Sequence, residues 1–454
     1  MQTGGTAGGT LADLGAHGRP HRWWTPVRVV LAIAALTFSV SLVAKVPCAA
    51  GAWWDSPRDS AYACSTDFAT DYAMSGLAER IPAWDATGQH VVRPEQTTPD
   101  AALSYVAASA AQALTGGADV DERRTQPVVD LVSDDEVRAE TIAFIAVSAL
   151  VQLVAFLVGV LLLVRSNAAH PYAVTAAAGA LVIVFTTLLG WDMVLFALVC
   201  ATWWAWNSRR HGLAGACIGI AGAMTFWPLL LIPALALAAL RTGSAARIGR
   251  MVGAAIVAWV CCVAPLVVIS GGAYFDPLGT YADVDIGTGS VWSLLGDLGI
   301  EPSGDAMKLI LVIGMVLVLM GASILALKAR TAPSAPALAL VILIGWFVLT
   351  KTYEPQYALA LLPFAALAWP YWRDLLIWQA GEIIFVFVAS WHAGGYTLDT
   401  GDVDRVYPLA IALRIAAQLW LASRVVLAHY ERTYDPIVRD SADSPSPSLP
   451  GRTS

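Results

Sequence analysis

Charged side chains are scarce in this sequence. Of its 454 residues only 13% are charged, whereas 57% are hydrophobic and the mean hydropathy is +0.63. Soluble domains carry about 25% charged residues, so the composition argues against a soluble enzyme and predicts an integral membrane protein. The sequence shows neither a basic stripe of the kind that binds nucleic acid nor the internal repeat that marks many transporters.

Cysteine is also rare, with 6 residues in the chain. Cys48 and Cys64 flank the start of a long acidic loop. If this loop lies outside the cytoplasm, the two thiols can pair, and we predict a disulfide between them. The remaining cysteines fall inside apolar runs, which is typical of small core residues; they are Cys200, Cys217, Cys261 and Cys262.

Long apolar runs separated by short basic loops determine the predicted topology. The first run, about 27–46, is long for a signal peptide and is interpreted as an uncleaved anchor. The positive-inside rule then places residues 47–138 outside and both termini inside. Twelve spans are predicted, at about 27–46, 139–164, 172–190, 191–206, 212–225, 228–240, 251–270, 306–327, 336–351, 356–370, 374–392 and 406–428.

The predicted fold is an all-α integral membrane protein with a large extracytoplasmic first loop. Residues 1–26 and 433–454 are expected to be disordered cytoplasmic tails around a membrane domain at 27–432. The pieces 212–225 and 228–240 are too short for two full crossings, and basic residues flank both ends, which indicates a shortened hairpin broken at Pro228. Within the loop, residues 100–114 predict a helix that lies on the outer interface or packs within the loop.

The segment Cys64–Tyr72 contains two carboxylates, Asp67 and Asp71, at a spacing that puts both on one face of a helix. Such a pair beside a membrane could abstract a proton from a substrate. A helix start also explains the segment, because Ser65, Thr66 or Asp67 is a common N-cap and acids are common in a first turn.

Further polar groups collect near the predicted outer face. Ionisable groups within lipid are costly and are usually paired or functional, so a cleft open to the outside is the expected site. Each residue also has a structural interpretation: Asp192 as a helix cap, Glu382 and Arg414 as a buried pair, and Lys351 as a snorkelling anchor. The candidate binding residues are Asp71, Asp192, Lys351, Tyr353, Gln356, Tyr357, Glu382, His392 and Arg414, with the segments 271–305 and 399–405 nearby.

These motifs resemble the actinobacterial polyprenol-phosphate-mannose-dependent alpha-mannosyltransferases, which are multi-span enzymes of the GT-C superfamily. The resemblance covers most of the chain in the same order. It departs from the family pattern at Thr225, at Glu354 and in the extended stretch 115–138. The matching motifs are C-x-x-D-x-x-x-x-Y from Cys64, Trp191-Asp192-Met193, the hairpin ending in Phe226-Trp227-Pro228, Gly289-Ser290-Val291-Trp292-Ser293, K-T-Y-E-P-Q-Y from Lys351, Trp378-Gln379-Ala380-Gly381-Glu382 and Asp435-Pro436.

The resemblance implies an inverting transfer of a sugar, with mannose favoured, from a polyprenyl-phosphate donor to a glycolipid or polysaccharide outside a bacterial plasma membrane. Asp67 would be the general base, and Lys351 with Tyr353 and Gln356 would hold the phosphate or the sugar. Membrane lipids and the two substrates are the expected partners, without nucleic acid, cofactor or metal.

Two other classes remain open at this point: a transporter or lipid flippase, and a non-catalytic assembly protein. A transporter is expected to place polar residues at mid-membrane and on both sides.

Overall fold

A computed structural model describes the chain as an all-helical protein, with no strand among the residues it describes. The predictions for most of the N-terminal tail, for the C-terminal tail and for much of 271–285 and 398–404 lie outside the described residues. The described residues are 23–49, 53, 57–81, 98–116, 120–241, 245–270, 275, 286–300, 302–397 and 405–430.

The described part of the chain consists mainly of α-helices. Two 3₁₀ turns, Pro171–Val174 and Trp227–Leu230, interrupt the α-helical series. The α-helices are α1 Pro26–Ala49, α2 Pro57–Tyr62, α3 Asp67–Met74, α4 Pro99–Thr115, α5 Val120–Arg123, α6 Val128–Ser133, α7 Asp135–Ser166, α8 Thr175–Ala178, α9 Leu181–Thr186, α10 Asp192–Asn207, α11 His211–Met224, α12 Leu231–Arg241, α13 Ala245–Ser270, α14 Val291–Asp297, α15 Gly304–Lys328, α16 Ala335–Leu349, α17 Tyr357–Ala368, α18 Trp372–Ala393 and α19 Val406–Tyr430.

Six helices in the described part of the chain, α1, α7, α13, α15, α18 and α19, are long and apolar enough to cross a membrane. The other six predicted spans correspond to shorter or interrupted helices. The all-helical, membrane-type fold agrees with the sequence prediction, while the count of twelve crossings stays a prediction.

The predicted span at 172–190 is an interrupted helical segment in the structure. The chain there forms a 3₁₀ turn and then the short helices α8 and α9, with a break at Gly179 and Ala180. Gln379 of α18 accepts a hydrogen bond from the Val182 N–H (3.4 Å), so a neighbouring helix satisfies a backbone donor that the break leaves open. Buried irregular backbone of this kind is tolerated in membranes when protein supplies the partners.

The break predicted near Pro228 is present, because α11 ends at Met224 and Thr225 is extended before the 3₁₀ turn begins. Helix α11 packs closely on α13 through glycines. A Cβ atom placed on Gly215 would lie 2.0 Å from the Met251 carbonyl oxygen, and one on Gly219 would lie 2.2 Å from that of Ala255. Only glycine permits this approach, the same device that small-residue motifs provide between membrane helices.

The polar region between α1 and α7 folds back onto the first turns of α7. Phe68 of α3 packs edge-on against Phe144 (5.7 Å between ring centroids). The Tyr72 hydroxyl donates to Glu140 (2.6 Å), which also forms a buried ion pair with Arg123 (2.5 Å). Helix α4 buries a face spaced at three and four residues and exposes Val106 and Leu114 on another, so both interpretations of 100–114 stay predictions.

Side-chain contacts bring the polar segments together at one end of the helix bundle, which we call the Asp67 end. The C-terminus of α18 reaches α2 there, where Ser390 donates to the Ser60 carbonyl (3.0 Å). The N-terminus of α19 lies there too, because the Tyr407 hydroxyl accepts from the Gly289 N–H (2.7 Å). The opposite ends of α18 and α19 meet where Arg424 contacts Asp374 (3.4 Å). Helices α18 and α19 therefore run antiparallel, as alternate crossings require.

We predict that Arg123→Met lowers the free energy of unfolding by about 3–5 kcal/mol, since it leaves the buried Glu140 carboxylate without its ion-pair partner. The neighbouring substitution Arg124→Met is the control. Arg124 is half exposed in its ion pair with the exposed Asp121, so its loss should cost about 1 kcal/mol or less. Denaturant unfolding of the two variants in detergent measures the difference, and equal losses would contradict a stabilising role for the Arg123–Glu140 pair.

Candidate active site

Three attachments hold the start of α3 against the membrane helices. A disulfide joins Cys48 at the end of α1 to Cys64, with 5.8 Å between the Cα atoms. The Lys45 ammonium donates to the Ser65 carbonyl (2.7 Å), and the Thr66 hydroxyl donates to the Leu188 carbonyl (2.5 Å). Three successive residues before α3, Cys64, Ser65 and Thr66, are therefore each bonded to another part of the protein.

The Cys64–Tyr72 segment begins a helix, as one of its two interpretations predicted, but without the predicted side-chain cap. Thr66 is the N-cap residue by position, yet its side chain makes no capping hydrogen bond because the hydroxyl bonds Leu188 instead. Asp67 is the first helical residue, and its side chain lines a cavity. Asp71 follows one turn later on the same wall, as the four-residue spacing predicted.

The cavity beside Asp67 has a volume of about 380 Å³ and an acidic lining, and we call it the acidic cavity. Five carboxylates line it: Asp67, Asp71, Asp100, Asp192 and Glu354. They come from α3, α4, α10 and the segment before α17, so the acidity arises only when the chain folds. None of the described lining residues is Lys, Arg or His.

A second cavity, of about 560 Å³, lies on the other side of Asp67 between α2, α3 and α18. Four residues line both cavities: Asp67, Leu189, Glu354 and Gln356. Asp67 therefore stands at the boundary between the two spaces, where one carboxylate can reach a group bound on either side.

The surroundings of Asp67 raise its pKa to about 7. The side chain is accessible to water from the cavity, but protein surrounds it, and loss of bulk water is the largest cause. The negative charges of Glu354 and Asp71 add to the rise, while Lys45 opposes it. A carboxyl with this pKa exchanges its proton near neutral pH, which suits a general base.

Glu354 and Asp100 complete the acidic lining. Burial raises the pKa of Glu354, although the Gln356 amide donates to its carboxylate (2.6 Å) and opposes the rise. Burial also raises the pKa of Asp100, with an opposing hydrogen bond from Thr98. Confinement of several carboxylates in one cavity disfavours their full ionisation.

The segment from Lys351 to Gln356 owes its position to a glycine loop. The Gly287 N–H donates to the Lys351 carbonyl (3.1 Å), and the Tyr353 N–H donates to the Thr288 carbonyl (3.0 Å). Gly289 has a positive φ of 71°, and a Cβ there would lie 2.5 Å from the Tyr353 carbonyl oxygen. Two motifs that are far apart in sequence are thus packed backbone to backbone.

Tyr353 faces away from both cavities into a buried polar network. Its hydroxyl donates to Glu382 (2.9 Å), which also accepts from Trp378 (2.9 Å) and Gln418 (2.7 Å). The Arg414 guanidinium lies 3.5 Å from the centre of the Tyr353 ring, in a cation–π contact. This network supports the segment that carries Glu354 and Gln356 from behind.

The predicted binding residues thus separate into two groups. The acidic cavity brings together Asp67, Asp71, Asp192, Gln356 and Tyr357. The second group lines neither the acidic nor the second cavity: Lys351, Tyr353, Glu382, His392 and Arg414. His392 stacks on Tyr407 with 4.0 Å between ring centroids, and Glu382 and Arg414 form part of the buried network, as their structural interpretation suggested.

Sequence reasoning missed three residues of the site. Asp100 was counted only as the start of a helix, and Glu354 only as a departure from a family pattern. Lys45 was not singled out, although an isolated lysine in the last turn of an apolar span is a signal for function. Its ammonium is buried and lies close enough to Asp67 to lower the pKa of that carboxyl.

Among the described residues, one group of His, Cys, Asp or Glu side chains has its ligand atoms close enough together to hold a metal ion. It does not form a metal site. That group consists of Cys48, Asp59 and Cys64, and both sulfurs belong to the disulfide. Compared with protein-family models and with curated proteins, the chain matches none of them.

We predict that the Asp67 carboxyl is protonated below pH 7 and ionised above it, because its pKa is raised to about 7. Infrared difference spectra of the purified protein should show a protonated carboxyl band that disappears as the pH rises from 6 to 8 and is smaller in Asp67→Asn. Glu354→Gln removes a neighbouring negative charge, so the pKa of Asp67 should fall and the band should disappear at a lower pH. A band that is identical in wild type and Asp67→Asn would contradict the assignment.

Proposed function

We propose that the protein is a membrane glycosyltransferase. It transfers a sugar, with mannose favoured by the sequence resemblance, from a polyprenyl-phosphate donor to a hydroxyl group of a glycolipid or polysaccharide acceptor. The reaction takes place on the outer face of a bacterial plasma membrane and inverts the anomeric configuration. The observation that supports it best is Asp67, a carboxyl with a pKa of about 7 at the boundary between two cavities at one end of an apolar helix bundle.

The chemistry requires one base. The acceptor oxygen forms a bond to the anomeric carbon while the bond from that carbon to the phosphate oxygen breaks. The Asp67 carboxylate takes the proton of the acceptor hydroxyl, and the polyprenyl phosphate leaves with the bonding electron pair. A phosphate is already a good leaving group, so positive charge and hydrogen-bond donors suffice to stabilise it. Because the ionised form of Asp67 is the base, transfer should rise with pH up to about 7.

The charges around Asp67 support different positions for the two substrates, because five carboxylates line the acidic cavity and three, Asp59, Asp67 and Glu354, line the second cavity. Carboxylates accept hydrogen bonds from sugar hydroxyls, so the acidic cavity suits the acceptor. A phosphate is repelled by the same five carboxylates. The proposed position of the donor phosphate is therefore outside the acidic cavity, beside Lys45.

Asp67→Asn keeps the shape of the side chain and removes its ability to accept the proton. We predict that turnover falls by about 10² to 10⁴-fold, the usual contribution of a general base, while donor affinity is retained. Single-turnover transfer and donor binding, measured on the same preparation, separate the two effects.

Asp71→Asn is the matched control, because Asp71 lines the same wall one turn further along α3. It should lose far less turnover than Asp67→Asn. Near-normal turnover in Asp67→Asn would remove Asp67 from the mechanism and direct attention to Asp192.

A donor panel tests the proposed function itself. We expect the purified protein in nanodiscs to transfer radiolabelled sugar from polyprenyl-phosphate mannose to a membrane glycolipid fraction, and not from a nucleotide sugar. Activity with another lipid-linked sugar would change only the substrate. Activity with nucleotide sugars alone, or with no sugar donor, would reject the proposal.

A further inference from the structure

A long apolar groove runs between α1 and α7. It consists of two hollows that follow one another along the same pair of helices, of about 400 and 380 Å³. On α1 its wall is formed by Leu31, Ala35, Phe38 and Leu42, whose spacing places them on one helix face. From Leu31 to Ala49 this wall measures about 27 Å at 1.5 Å per residue, which suits an extended lipid chain.

Among the described residues that line this groove, one is charged. Lys45 lies on the same face of α1 as Leu42, at the end of the groove nearest to Asp67. Its ammonium is buried, and its hydrogen bond goes to a neutral group, the Ser65 carbonyl. A buried ammonium is costly unless anions accompany it, so the charge of Lys45 would stabilise a phosphate bound beside it.

The groove continues to the proposed reaction centre. Trp53 lines both the groove and the second cavity, and its indole N–H donates to the Lys45 carbonyl (3.2 Å). Leu188 lines the groove, and the next residue, Leu189, lines both cavities beside Asp67. A chain lying in the groove would thus bring its head group past Lys45 to the boundary that Asp67 occupies.

We propose that the groove between α1 and α7 binds the isoprenoid chain of the donor, and that Lys45 binds the donor phosphate. The identity of the ligand as a sugar donor rests on the proposed function. A polyprenyl-phosphate sugar is a phosphodiester with one negative charge, which matches the single lysine. A single polyisoprenoid chain also matches a groove between two helices. The phosphate then lies beside Lys45, outside the acidic cavity.

Photolabelling tests the location of the chain independently of any transfer. The probe is a polyprenyl phosphate with a diazirine in its chain, added to the full-length protein in nanodiscs. We expect labelled peptides from α1 and α7, and we expect unlabelled polyprenyl phosphate to compete strongly and polyprenol weakly, whereas inorganic phosphate and phosphatidylglycerol do not compete. Equal competition by phosphatidylglycerol would show that the groove holds ordinary bilayer lipid and would overturn the proposal.

Filling the groove provides a second test with a matched control. Ala146 of α7 is exposed and lines the groove, whereas Val151 is exposed on the same helix and does not. Ala146→Trp should weaken binding of a long-chain polyprenyl phosphate much more than that of a short-chain analogue, and Val151→Trp should leave both unchanged. A general folding defect would affect the two chain lengths alike. Equal behaviour of the two tryptophan variants would contradict the assignment.

Removing the charge of Lys45 tests the phosphate contact. Lys45→Gln should weaken binding of polyprenyl phosphate by roughly ten- to a hundredfold, the range for one charge-assisted hydrogen bond, and should leave the binding of polyprenol unchanged. Lys45→Arg should restore part of the affinity for the phosphate. Unchanged phosphate binding in Lys45→Gln would remove Lys45 from the site.

The two proposals can fail separately. Labelling in the groove without transfer from any lipid-linked sugar would retain the lipid site and reject the glycosyltransferase. Transfer from a lipid-linked sugar with labelling elsewhere would retain the enzyme and reject the groove.

Discussion

The attachment of α3 to the end of α1 is the constraint on which the rest of the site depends. A short helix carrying two carboxylates would not hold a fixed position by itself, because eight residues are too few for a stable isolated helix. The Cys48–Cys64 disulfide, the Lys45 hydrogen bond to Ser65 and the Thr66 hydrogen bond to Leu188 act within a few residues of one another. Together they place Asp67 at the boundary between two cavities, and they also place Lys45 beside it.

The acidic cavity is electrostatically unfavourable, since five carboxylates face the same space. Apolar and polar contacts in and around the cavity wall make this arrangement possible. Phe68 packs between Phe144 and Trp191, with 5.7 and 5.2 Å between ring centroids, and holds α3 on α7 and α10. The network around Tyr353 and Glu382 holds the segment that presents Glu354. Stability is thus supplied by the surrounding contacts, while loss of bulk water, reinforced by the charges of Glu354 and Asp71, raises the pKa of Asp67 to about 7.

The sequence predicted those features that depend on local pattern. Apolar runs located the helices, and the spacing of Asp67 and Asp71 placed both on one wall. The break within 172–190 was missed because Gln379, which satisfies the open backbone donor, lies far away in sequence. Glu382 and Arg414 were counted as binding residues because a buried polar residue in an apolar span looks the same whether it supports a fold or a site. Asp100 and Glu354 join the cavity only through tertiary packing.

The positions of the charges also bear on the class of donor. A nucleotide sugar carries a diphosphate with two negative charges, and its head group would have to lie beside Asp67, Glu354 and Asp71. A lipid-linked monophosphate carries one negative charge, and its chain can remain in apolar surroundings. One lysine at the end of an apolar groove balances one phosphodiester, whereas a diphosphate would leave an uncompensated charge close to the acidic cavity. In the proposed reaction, the same asymmetry would keep the acceptor, which brings only hydroxyl groups, on the acidic side of Asp67.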